Sequence, residues 1–311
     1  MIVAITGGTG FIGQRVIQRH LAQHDTVRVI TRRTTSAFPA VEQFVCDLTQ
    51  DNDSALCSAL SGCDVLYHCA GELRDPAKMR VLHVDGTRRL INAAKGRVGR
   101  WVQLSSVGVY GAHSNTLVTE ATPFNPEGEY ETTKAESDLM VTAASAEGAF
   151  EFTTLRPSNV FAPDMPNQSL FGLINAIARG RFFYIGKGDA QTTYVHADNV
   201  ACALELLARH PDANGHAFNL SDDAPQQAVV EWIASELGMR PPSGHLPRPL
   251  AQGIAHAMRW MPSFPLTPSR VRALTNRTTY PVTKISSILG YQAPVNLESG
   301  IREMVRTWKN K

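Results

Sequence analysis

The sequence predicts an α/β fold: a doubly wound parallel sheet with helices on both faces, joined to a smaller, discontinuous C-terminal domain. Three observations carry this. Short apolar, β-branched runs alternate with helical patterns through the first half of the chain. A glycine-rich turn links the first such run to the first helix. The second half instead breaks into short pieces punctuated by prolines, from Pro163 to Pro268. With 311 residues, the chain is long enough for one large domain or for a large and a small one, and 43% hydrophobic residues supply a core.

In chain order the strand patterns are residues 2–6, 27–31, 43–46, 64–69, 101–105 and 152–155, with helical patterns at 11–22, 54–60, 87–94 and 132–146. Right-handed crossovers bring the carboxyl ends of such strands to one edge, where ligands bind. Residues 193–195 leading into 200–208, and 217–220, repeat the theme, so 1–160 with about 192–221 form the sheet domain. Helices at 170–179, 228–237 and 250–258 fall in the remaining segments, about 161–191 and 222–311. Met258, Trp260 and Met261 read there as core packing or a pocket wall.

The formal net charge is +2 and basic residues are scattered, which argues against nucleic acid or an acidic membrane as a partner. The five cysteines form no Cys-x-x-Cys pair and no cluster with metal-ligand spacing. They read as reduced thiols of a cytoplasmic protein without a metal. The apolar start, residues 1–5, is too short for a signal peptide, and no apolar run approaches the ~20 residues of a membrane span.

Thr6-Gly7-Gly8-Thr9-Gly10-Phe11-Ile12-Gly13 follows a strand and opens a helix, the context in which a Rossmann-type phosphate loop has meaning. Gly7 permits the tight turn, Gly10 lets the backbone approach a pyrophosphate, and Gly13 lets the helix sit close to the sheet. The N–H groups around Phe11 and Ile12, at the positive end of the helix, receive the phosphates. The second strand ends in Arg32-Arg33 where NAD sites place a carboxylate. A guanidinium suits a 2′-phosphate, so NADP(H) is expected over NAD(H). Asp47 and Leu48 follow the third strand, placed to meet the adenine, although Asp47 suits a helix cap equally well. Cys69, Ala70 and Gly71 end the fourth strand with small residues that admit the nicotinamide-side ribose.

Tyr130 and Lys134 lie four positions apart in a helical stretch, one turn apart on one face. A neighbouring ammonium and a cationic nicotinamide favour phenolate, so a lowered tyrosine pKa is expected. Tyr130 then exchanges a proton with a substrate oxygen while hydride moves at carbon, and Lys134 places the ribose. Ser106, at the carboxyl end of the fifth strand, donates to the same oxygen.

These motifs together resemble the extended short-chain dehydrogenase/reductase family, which includes the NAD-dependent epimerase/dehydratases, over nearly the whole chain. Leu104-Ser105-Ser106-Val107-Gly108-Val109-Tyr110-Gly111 resembles the stretch with its catalytic serine, and Tyr130-Glu131-Thr132-Thr133-Lys134 its active-site pair. Residues 155–161 resemble the segment bordering the nicotinamide, which implicates Pro157 and Ser158. Tyr194-Val195-His196 and residues 284–308 are also of this type. The resemblance implies a small-molecule substrate, with Val107 and Asn159 as contacts, and a homodimer; His113, just after Gly111 near the cleft, reads as a loop histidine or a substrate contact. Family dehydratases carry an acidic pair beside the serine. Val107 and Gly108 stand there, which argues against dehydration. Nucleotide-sugar epimerases place a diphosphate-gripping arginine where Thr192 stands, and their later arginine segment is replaced by Asn276-Arg277-Thr278-Thr279. His83 replaces a frequent asparagine. His196 reads as structural. An oxidoreductase follows, and Leu266-Thr267-Pro268 with the residues after it resembles the 3β-hydroxysteroid dehydrogenase and dihydroflavonol reductase branch and some sugar-epimerase-like relatives. The alternatives are a nucleotide-sugar 4-epimerase or 4-ketoreductase, and a non-catalytic dinucleotide sensor.

Overall fold

The computed structural model describes residues 1–311 apart from 35–37, 51, 52, 114, 115, 259, 262–265 and 311. β1 (Ile2–Thr6), α1 (Gly13–Ala22), β2 (Thr26–Thr31), β3 (Glu42–Val45), α2 (Asp53–Leu60) and β4 (Cys63–His68) open the chain. α3 (Pro76–Arg80), a π-helical turn at Val81–Gly86 and α4 (Thr87–Ala94) lead to β5 (Val98–Leu104). A 3-10 turn at Val107–Tyr110 and α5 (Glu129–Ala146) lead to β6 (Glu151–Pro157). There follow β7 (Asn159–Phe161), α6 (Ser169–Ala178), β8 (Tyr184–Ile185), β9 (Gln191–His196), α7 (Ala197–Arg209) and β10 (His216–Leu220). β11 (Asp222–Pro225), α8 (Gln226–Leu237), β12 (His245–Leu246), α9 (Arg248–Ala257), α10 (Pro268–Ala273), α11 (Thr283–Leu289) and α12 (Leu297–Lys309) complete it.

Seven strands form one sheet in the order β10-β6-β5-β4-β1-β2-β3, and every pairing is parallel. A sheet of this kind needs cover on both faces, which explains the near-continuous apolar strands. On one face Val16, Ile17, Leu204, Leu207 and Leu289 from α1, α7 and α11 pack on β1, β2 and β10. On the other, Leu56, Leu60, Leu90 and Val141 from α2, α4 and α5 pack around Trp101. Strand order reverses between β1 and β4, and the crevice above their carboxyl ends is the place such sheets bind ligands.

β9 pairs with β7 and β11 in a three-stranded sheet, and β8 with β12 in a two-stranded one. A separate cluster there joins Phe161, Ile174, Val230, Ile233, Ile301 and Met304. A smaller one joins Ile185 to Ala251, Ala255 and Val271 of α9 and α10. Two expectations change. Helix α5 begins at Glu129 rather than 132, because Gly128 is extended and caps it, which takes Tyr130 into the first turn. Trp260 is 72% exposed, so it is not core packing, and Pro262 and Pro265 beside it lie outside the described residues. Among the described residues no helix is long and apolar enough to cross a membrane.

Candidate active site

The glycine loop has the close approaches its spacing requires. Gly7 has φ +68°, and a Cβ there would lie 2.6 Å from the amide nitrogen of Ala70. A Cβ on Gly13 would lie 2.3 Å from the Gly7 carbonyl oxygen. Ile12, before α1, offers no side-chain cap, and the first-turn N–H groups of Gln14 and Arg15 donate to the Gly10 and Ile12 carbonyls at 3.1 and 3.0 Å. The N–H groups of Phe11, Ile12 and Gly13 have no backbone acceptor among the described residues and face a ligand instead. Phe11 carries the Arg15 guanidinium over its ring at 4.8 Å, and Ile12 packs on the sheet core.

A cavity of about 400 Å³ runs from this loop across the crevice. Gly7, Gly10, Arg32, Asp47, Leu48, Cys69, Ala70 and Gly71 line it, as the sequence suggested, and Thr9, Glu72 and Lys78 join them. Lys78 escaped the sequence reading because it comes from α3, far along the chain from Arg32. Arg33 is not among the lining residues; its N–H donates to Thr31 Oγ1 at 3.2 Å. Asp47 does two things: Oδ1 accepts from the N–H and hydroxyl of Thr49 at 2.9 and 2.8 Å, and the residue borders the cavity.

The residues fit a dinucleotide. The glycines leave a cradle that any Cβ would fill. Ser158, whose N–H donates to Leu220 at 2.9 Å, has a buried hydroxyl with no partner. Pro157 beside it is buried at the end of β6.

Ser106 is extended and caps the turn Val107–Tyr110, its Oγ accepting from the Gly108 N–H at 3.1 Å. A Cβ on Gly108 would lie 3.3 Å from Ser106 Oγ and 2.9 Å from Glu131 Cγ, so this turn is pressed against the start of α5. That contact sets the turn after Ser106 beside the first turn of α5, which carries Tyr130 and Glu131. It also places a carboxylate near Ser106 that the residues after the serine do not supply.

The buried Lys134 donates to the Leu104 carbonyl at 2.5 Å, two residues before Ser106. Burial lowers its pKa, opposed by the Asp138 carboxylate and by Cys69. Burial pushes the Cys69 thiol up to about 12. Tyr130 does not follow the expected direction. Its pKa is pushed up to about 12 by burial, with Glu131 and Asp138 adding to the rise. The ammonium expected to favour phenolate is engaged at Leu104, while two carboxylates share the tyrosine's helix.

Behind this group lies a connected polar layer. His83 Nε2 accepts from the Glu72 N–H at 2.8 Å, and His83 Nδ1 bonds Thr133 Oγ1 at 2.8 Å. Asp138, 2% exposed, bonds Ser105 at 2.8 Å and Arg156 at 3.1 Å. Arg156 donates to the Tyr110 hydroxyl at 2.9 Å.

The candidate substrate contacts separate. His113 lines a second cavity of about 950 Å³ and bonds the Tyr110 carbonyl at 2.9 Å. Val107 is buried in an apolar cluster with Val109 and Tyr280. Asn159 is exposed, and its amide nitrogen donates to the carbonyl and hydroxyl oxygens of Thr193 at 3.0 and 3.2 Å. His196 caps α7 by accepting from the Asp198 N–H at 3.3 Å, a structural role. Gly111, at the mouth of the second cavity, has φ +79°, and a Cβ would fall 1.8 Å from the Asn125 carbonyl oxygen.

The model of the NAD dependent epimerase/dehydratase family matches residues 3–221. The chain belongs to this family. A relative from Stigmatella aurantiaca, 4-hydroxy-2-methyl-3-oxo-4-farnesyl-3,4-dihydroquinoline-1-oxide ketoreductase, is 27% identical, with the match covering 96% of this chain and 90% of the relative. N-acetyl-alpha-D-glucosaminyl-diphospho-ditrans,octacis-undecaprenol 4-epimerase from Escherichia coli O157:H7 is 25% identical, covering 96% and 92%. The UDP-glucose 4-epimerase structure from Thermotoga maritima superposes with a TM-score of 0.76 over 100% and 99% of the chains, at 18% identity, a likeness of fold. This epimerase/dehydratase family member is thus an enzyme of the extended short-chain dehydrogenase/reductase type, and its family is NAD-dependent.

Proposed function

We propose that the chain is an NADP(H)-dependent oxidoreductase acting on a carbonyl or alcohol carbon of a small molecule, with Tyr130 as acid and base. The observation that carries this is the placement of Tyr130 and buried Lys134 one turn apart on α5, against the turn that Ser106 caps. The nicotinamide, when bound, supplies or takes the hydride. Tyr130, held as a phenol, gives its proton to the carbonyl oxygen as that oxygen gains charge, and takes it back in the reverse direction. Ser106 Oγ already accepts from Gly108, so its hydrogen remains to be donated to the same oxygen. Lys134 keeps two N–H donors beyond the one given to Leu104, enough for the ribose hydroxyls. Ser158 offers its unpartnered hydroxyl to the nicotinamide side.

Arg32 and Lys78 favour a 2′-phosphate: both line the first cavity, and they lie close enough that Arg32 opposes the ammonium of Lys78. Residues 1–160 with about 192–221 hold the dinucleotide, and the rest shapes the substrate pocket. The five free thiols suit a reducing cytoplasm. Leu139, 60% exposed on α5, is an apolar residue that a homodimer contact would cover.

The test is NADPH consumption with a panel of carbonyl compounds. Wild type consumes NADPH; Tyr130→Phe loses about 10²-fold or more in kcat while binding NADPH as before. Full turnover in that variant would exclude the mechanism. The resemblance to the Escherichia coli 4-epimerase, whose substrate is a sugar on a polyprenyl diphosphate, favours a second reading, a 4-epimerase or 4-ketoreductase of a diphosphate-linked sugar such as a nucleotide sugar. A 4-epimerase returns its hydride and consumes no NADPH. Interconversion of UDP-glucose and UDP-galactose without net consumption would replace the first reading with this one.

A further inference from the structure

The cavity of about 950 Å³ beyond His113 has a lining unlike the chain as a whole. Arg248, Gln252 and His256 come from α9 at intervals of four residues, so they share one face of that helix. Arg272 of α10 faces the same space, with Asn276, Tyr280 and His113. No carboxylate appears among these lining residues, although the chain carries a formal charge of only +2.

The two guanidiniums are also weakly neutralised. Among the described residues the Arg248 guanidinium has no ion pair or hydrogen bond. Arg272 stands 3.6 Å from Glu127, with both side chains more than half exposed, a pairing that contributes little. The nearby Arg277 is different: Asp189 holds it at 2.5 Å. Guanidiniums with little or no carboxylate pairing, in a cavity that begins at Gly111 just after the serine turn, describe the complement of an anion.

We propose that this cavity is an anion subsite in which Arg248 and Arg272 hold a carboxylate or phosphate group of the substrate, away from the oxygen that Tyr130 protonates. Neither arginine occupies the positions where nucleotide-sugar epimerases grip a diphosphate, which are Thr192 and the segment around Asn276. Ala112, Val271 and Ala273 add apolar surface beside the polar groups of the same cavity. The subsite rests on the oxidoreductase reading for the position of the reacting carbon, but the binding itself does not.

Calorimetry on the full chain saturated with NADP⁺, which fills the glycine loop, tests this with decanoate and inorganic pyrophosphate as probes. At least one anion binds, decanamide does not, and binding weakens with added sodium chloride. Arg248→Gln and Arg272→Gln each raise the dissociation constant about tenfold. Arg277→Gln leaves it unchanged. An unaltered affinity for NADP⁺ in every variant shows that the fold is kept. Tighter binding of decanoate identifies a carboxylate substrate, and tighter binding of pyrophosphate a phosphorylated one. No binding of either anion, or binding undiminished in the Arg248→Gln/Arg272→Gln double variant, overturns the subsite. Anion binding by a chain that never consumes NADPH would instead remove the hydride reading and leave the subsite standing.

Discussion

The imidazole of His83 stands edge-on to the phenol of Tyr130, with ring centroids 5.7 Å apart and planes at 80°. His83 also ties two parts of the site together. Nε2 holds the loop after β4 through Glu72, and Nδ1 holds α5 through Thr133. Because Nε2 accepts an N–H, the neutral ring carries its hydrogen on Nδ1. The π-helical turn that includes His83 is the kind of local irregularity often found at functional sites.

His83 and His68 should make stability fall in acid. Burial and the Lys134 ammonium lower both pKa values to about 3, below the 6.5 of an unperturbed imidazole. Between about pH 6.5 and 3 the unfolded chain therefore binds more protons than the folded one, so stability is full above that window and drains away as pH falls through it. Each imidazole contributes a slope of up to about 1.4 kcal/mol per pH unit. Urea unfolding at pH 7 and pH 5 measures this. His83→Gln should lose less stability over the interval than wild type, and an equal loss would show that its burial carries no proton linkage.

Lys78 should act with Arg32 in choosing the cofactor. Its present partner, Asp75 at 2.8 Å, is solvent-exposed like Lys78 itself, so that pair gives way easily. Arg32→Ala and Lys78→Ala should each weaken NADPH about tenfold and leave NADH unchanged, read by fluorescence titration. Equal weakening of both nucleotides would deny any contact with the 2′-phosphate.

Asp138 and Arg156 should behave as a buried pair. Arg156→Leu leaves a carboxylate, 2% exposed, with Ser105 as its one remaining side-chain hydrogen-bond partner among the described residues. The expected cost is about 3–5 kcal/mol in urea unfolding. Adding Asp138→Leu should restore a good part of it, because the orphaned charge is then gone. A double variant as unstable as Arg156→Leu alone would place the cost in packing.

What the sequence made legible was local. β1 and the glycine loop announce themselves because strand, turn and helix lie within a dozen residues, and Gly7 and Gly13 answer to neighbours fixed by that turn. The spacing of Tyr130 and Lys134 puts them one turn apart on α5, but that spacing is common in helices and points to a site only together with the glycine loop and Ser106. The rest depends on parts brought together from afar. Lys78 meets Arg32 only because α3 folds over the crevice, and Glu131 reaches Gly108 only through the docking of α5. The phenol of Tyr130 moved opposite to expectation because charge proximity was legible as spacing while burial was not. In the second half, β8 and β12 are two residues long, too short to leave a period, and Trp260 carries no mark of the exposure it has.

Gly111 carries a consequence for how such a protein can change. The chain at this point admits no side chain, so the serine turn on one side and the pocket rim on the other are joined through a fixed pivot. Ala112 and His113 follow that pivot along the cavity, with His113 held to the Tyr110 carbonyl at 2.9 Å. Their replacement can alter which molecules are accepted without disturbing the machinery that acts on them. Selection for new specificities is thereby directed to positions 112 and 113, and kept from position 111.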